Sequence, residues 1–65
     1  MNRFFSKDYY PDYYKVVTIE YFDERTLCRY YGNAWLAWDE EHGYVWTFEG
    51  SNRWVSDREV LDWWE

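Results

Sequence analysis

The sequence predicts an α+β fold: a four-stranded antiparallel β-meander with one short C-terminal α-helix packed on one face. Three observations lead there. Residues 15–49 are rich in β-branched and aromatic side chains, interrupted at short intervals by polar turns. Residues 56–59 read Ser-Asp-Arg-Glu, a capping box that starts helices. Finally, six Trp, eight Tyr and four Phe in 65 residues supply enough bulk for one core without a disulfide or metal. Area scaling lets a chain of this mass bury roughly 7,500 Å², and its aromatics at about 200 Å² each account for close to half of that.

Residues 1–14 form an aromatic-rich N-terminal arm, and residues 15–65 a single small domain. Pro11, inside Tyr9-Tyr10-Pro11-Asp12-Tyr13-Tyr14, lacks an amide donor and biases Tyr10 towards extended geometry, so the arm is not helical. With six aromatics in fourteen residues it is expected to pack on the domain and to cover the outer face of the sheet.

The first strand spans 15–22, and a polar turn at Asp23-Glu24-Arg25 leads into the second, 26–31. Gly32-Asn33 is a two-residue hairpin signal into the third, 34–39. A longer turn at 40–43 precedes the fourth, 44–49, and Gly50-Ser51-Asn52 ends the run. The expected register sets Tyr30 opposite Trp35, Tyr21 opposite Cys28, Glu20 opposite Arg29 and Ala37 opposite Trp46. One face then carries Val17, Ile19, Tyr21, Cys28, Tyr30, Trp35, Ala37, Tyr44, Trp46 and Phe48 and has no charge, so it is the expected core. The other gathers Phe22, Leu27, Tyr31, Leu36 and Trp38 with Glu20, Arg29 and Glu49. A loop one residue longer or shorter would invert part of this assignment.

In the C-terminal helix Ser56 is the expected N-cap and Glu59 its reciprocal partner, with Val55 and Val60 placed as a hydrophobic staple. Asp57 and Glu59 suit the positive end of the helix dipole. Val60, Leu61 and Trp64 share one side at helical spacing and would close over the core face.

No catalytic or metal motif stands out, and no cofactor is implied. Cys28 and His42 are the only thiol and imidazole, placed by the register in the core and in a turn respectively. Asp39, Glu40 and Glu41 lack the spaced ligands and glycine of a calcium loop. Enzymatic activity is therefore not expected. No stretch has the apolar length of a membrane span, and no apolar leader follows Met1, so the expected setting is the cytoplasm, or the host cytoplasm if the chain is phage-encoded.

Thirteen acids against seven bases give a net charge of −6. The imbalance lies after residue 19, where four bases face eleven acids. Direct nucleic-acid binding needs the opposite sign. The expected function is binding: an inhibitor that docks on a basic, nucleic-acid-handling protein, a nucleic-acid mimic in sign and spacing. Phage anti-restriction and anti-CRISPR proteins offer an analogy of size and charge only. Glu40, Glu41, Asp57, Glu59, Asp62 and Glu65 are the candidate acidic contacts, and Phe22, Tyr31, Trp38, Trp54 and Trp63 the candidate aromatic ones. The alternatives are an aromatic platform for glycan or peptide, and a homo-oligomeric structural subunit, a homodimer for instance, joined through the outer face.

Overall fold

The computed structural model describes residues 3–4 and 8–65, with side chains from residue 8 onward. It is an antiparallel sheet with no α-helix among the described residues. Five strands carry it: β2 (Val17–Asp23), β3 (Cys28–Asp39), β4 (Gly43–Phe48), β5 (Trp54–Ser56) and β6 (Val60–Trp64). A two-residue strand, β1 (Arg3–Phe4), adds to the free side of β6, and the order is β1-β6-β2-β3-β4-β5. The expected fold of four strands and a C-terminal helix is thus overturned.

The sheet must curl, because β5 and β6 lie on opposite sides of the β2-β3-β4 meander yet are joined by only three residues, Asp57–Glu59, in a single 3-10 turn. Four inter-strand gaps would separate them by about 19 Å in a flat sheet. The four steps from Ser56 to Val60 span only about 14 Å even when fully extended. The last stretch of chain is therefore one broken strand that links both ends of the meander and rolls it into a partly closed barrel. The extents of 29 × 29 × 24 Å agree, since a flat sheet would be far thinner in one direction.

Inside the curl lie Val17, Ile19, Ala34, Leu36, Trp46, Val60 and Trp63, all buried, with Tyr10, Tyr21, Tyr44, Phe48 and Val55 packed against them. Two departures from the expected register explain this membership. First, there is no hairpin at Gly32-Asn33: β3 runs straight through it for twelve residues. The glycine is needed inside the strand, because a Cβ there would sit 2.9 Å from the Phe48 ring. Without that turn residues 34–39 change faces, while Tyr44, Trp46 and Phe48 keep the inward side expected of them because β4 pairs from Gly43 opposite Asp39. Leu36 enters the core opposite Trp46 and Trp38 shares its side, while Trp35 and Ala37 point outward. The β2–β3 pairing is also shifted, with Tyr21 opposite Tyr30 and Glu20 opposite Tyr31. Cys28, expected in the core, begins β3 at an exposed position.

Second, the capping box makes one 3-10 turn and no helix. Ser56 forms no side-chain cap bond. Residues 60–64 pair instead with β2 and with β1, a choice that suits Val, Trp and Trp better than one isolated helical turn would. Leu61 is an extra residue between the Glu20–Asp62 and Tyr21–Val60 pairs. This bulge puts Val60 and Trp63 on the same inner face despite their odd spacing.

Candidate functional site

The arm crosses the open end of the barrel on its inner side, not the outer face. Trp63 Nε1 donates to the Tyr9 carbonyl at 3.0 Å, and Tyr10 donates its hydroxyl to Asp57 at 2.7 Å. Trp46 Nε1 donates to the other oxygen of the same carboxylate at 2.9 Å. The Tyr14 amide, donating to the Leu36 carbonyl, extends the β2–β3 ladder backwards into the arm. Of the arm aromatics expected to pack on the sheet, Phe5 and the side chain of Phe4 lie outside the described residues.

These ties assemble a row of rings. Tyr44 is its hub: Tyr10 stacks on it at 4.6 Å between centroids, Tyr13 at 6.4 Å, and Trp38 meets it edge-on at 5.1 Å. Tyr14 adjoins Tyr13 at 6.2 Å. Trp38 emerges here because β3 outruns β2, whose pairing begins at Val17 opposite Ala34. Gly43, at φ 75°, turns the chain beneath the Trp38 ring. The hub is half-buried, whereas Tyr13, Tyr14 and Trp38 are 51%, 72% and 58% exposed. A hydrogen-bonding interaction with Tyr44 raises the pKa of Tyr13.

Acids adjoin the ring-bearing segments in sequence, Asp12 directly before Tyr13 and Asp39, Glu40 and Glu41 directly after Trp38. Asp39 is committed: its Oδ2 is 2.8 Å from His42 Nδ1, and its Oδ1 accepts the Glu41 amide. The His42 contact holds the Asp39 carboxyl below its ordinary pKa. Glu40 and Glu41 are exposed in the β3–β4 turn. Lys15, next to Tyr14, pairs with Glu65.

The expected contact residues do not converge. Glu40 and Glu41 follow Trp38 in the β3–β4 turn, Asp57 is spent internally on Tyr10 and Trp46, and Glu59 lies in the 3-10 turn. Asp62 is buried on the outer face across from Glu20, and Glu65 is engaged with Lys15. Among the aromatics, Trp38 joins the row. Trp63 is a core residue and not a rim anchor. Tyr31 is exposed on the outer face, edge-on to Trp64 at 5.8 Å, and its hydroxyl donates to Glu20. Phe22 and Trp54 line a groove of about 860 Å³ beside the 3-10 turn that reaches Tyr44, and in it Trp54 lies 4.7 Å from the His42 ring. That groove mixes Arg25, Arg53 and Arg58 with Asp23, Glu24 and Glu59, so it has no dominant sign.

Tyr10, Tyr13, Tyr14, Tyr44 and Asp12 are the site residues that sequence reasoning missed. Their signal was the doubled tyrosine pairs around Pro11, together with Trp38 running directly into three acids. Comparison with protein-family models, curated proteins and solved structures gave no match to this chain.

Proposed function

We propose that this chain is a binding domain that docks a positively charged protein on the surface made by Tyr13, Tyr14 and Trp38, in the manner of an inhibitor. The observation that carries this reading is the row of exposed rings fixed by Tyr44, with the exposed Glu40 and Glu41 following Trp38 in the β3–β4 turn. Exposed aromatics anchored from below are the usual hot spots of interfaces. Glu40, Glu41 and the net charge of −6 set the sign of the partner and favour its approach. A nucleic-acid-handling protein offers the matching basic groove, and occluding that groove is the inhibitory act.

A flat glycan platform fits less well, since Trp38 and Tyr44 meet at 81° and share no plane. The test is retention of purified DNA- or RNA-binding proteins on the immobilised chain across a salt series. Retention at low salt, weakened as salt screens the carboxylates, supports the reading. No retention of any such protein at low salt contradicts it.

A further inference from the structure

We infer that the ring row selects arginine, so that the docked element is an arginine-bearing segment of the partner; the inference rests on the docking reading above. Three features of the row converge on this side chain.

The first is the chemistry of the surface. It offers π faces at Tyr13, Tyr14 and Trp38, and carboxylates at Asp12, Glu40 and Glu41. A guanidinium can use both at once. Its flat, weakly hydrated face lies on a ring while its in-plane N–H groups reach sideways to a carboxylate. A lysine ammonium is a compact, strongly hydrated point charge. It gains the Coulomb attraction but loses hydration on a ring face and cannot make the bidentate fork.

The second is how little internal competition the described residues offer. Among the described residues, the basic side chains beside the row are already engaged by acids, Lys15 by Glu65 and the His42 ring by Asp39. Neither Glu40 nor Glu41 forms an ion pair among the described residues. The carboxylates at the Trp38 end therefore keep their charge for an incoming group. The groove beside the 3-10 turn, with both signs in its lining, does not share this bias.

The third is backbone geometry. Tyr14 has φ 63°, a left-handed conformation that is rare for a bulky residue. Its amide is pinned to Leu36, and its ring projects 72% exposed beside Tyr13. Nothing in the core requires a tyrosine there. A strained, solvent-facing aromatic held by its surroundings is characteristic of a binding element.

The experiment titrates the full chain with two synthetic peptides of identical Gly/Ser background, one carrying three arginines and the other three lysines. Calorimetry reads the affinity, and tryptophan fluorescence reads the site. The arginine peptide is expected to bind about fivefold or more tighter, the preference expected of one or two stacked guanidinium groups. Trp38→Ala should erase that preference, and Glu40→Gln with Glu41→Gln should weaken both peptides. Trp38 is mostly exposed, and an unchanged thermal transition confirms that the variant is folded.

Equal binding of both peptides, lost in the Glu40→Gln/Glu41→Gln variant, would overturn arginine selection while leaving a basic partner in place. An arginine preference unaffected by Trp38→Ala would overturn the site. Binding of neither peptide, with a basic protein still retained on the immobilised chain, would overturn the inference alone. Binding of neither, with no protein retained, would overturn the docking reading as well.

Discussion

Asp57 gathers more of the structure than any other single side chain. One oxygen accepts the Tyr10 hydroxyl and the other the Trp46 indole, so one carboxylate ties the arm, the 3-10 turn and the fully buried Trp46 together. Asp57→Ala leaves the buried indole N–H without this acceptor and removes one of the arm's ties, a loss of about 2–3 kcal/mol read from the urea midpoint. Asp57→Asn should lose less, since an amide oxygen still accepts one bond. The same contact gives a pH signature. Burial first, and then donation to Asp57, push the Tyr10 hydroxyl up to about 12. A folded-state pKa above the unfolded value means that the native chain holds the proton more tightly. This stability is complete below pH ~10, the ordinary phenol value, and is lost as pH rises through about 12. Tyr10→Phe should lower stability at neutral pH and flatten the decline across that alkaline window.

At the scale of elements, the misread segments are those where a local signal met a tertiary demand. The β2 and β4 patterns were legible because alternating inward residues such as Val17, Ile19, Trp46 and Phe48 meet no competing turn chemistry. Gly32-Asn33 has the composition of a hairpin, but the approach of Phe48 needs a residue without Cβ within a continuous strand. Gly32→Ala should therefore cost about 1–3 kcal/mol by overpacking, and Phe48→Leu should recover part of it in a double-mutant cycle. No purely local rule separates these two uses of glycine. Ser56 likewise carries a real start signal, honoured for one 3-10 turn, after which pairing with β2 outweighs helix continuation. The candidate site was half legible. Trp38 and its trailing acids were visible in the sequence, but placing them beside Tyr13 and Tyr14 depends on how far β3 outruns β2. That is a property of the register and not of any segment alone.

At the scale of the whole molecule, closure by one broken strand explains how so short a chain covers a core and still displays rings. The barrel buries Trp46 and Trp63, the arm closes its open end, and Tyr13, Tyr14 and Trp38 are left exposed on that closure. The proposed docking surface includes a strained residue, and the two left-handed non-glycine residues among the described ones separate stability from binding. Leu27, at φ 60°, lies in the β2–β3 turn away from the ring row, and Tyr14, at φ 63°, lies within it. Glycine at either position relieves about 1 kcal/mol of backbone strain, which is about 4–8 °C in melting temperature for a domain of this size. The most direct measurement therefore takes Tyr14→Gly, with Leu27→Gly as its control, and records melting temperature and affinity for the arginine peptide on the same samples. Arginine docking on the ring row requires that both variants melt at or above the parent temperature, that Leu27→Gly binds as the parent does, and that Tyr14→Gly binds several-fold more weakly. Undiminished affinity in a stable Tyr14→Gly variant would contradict it.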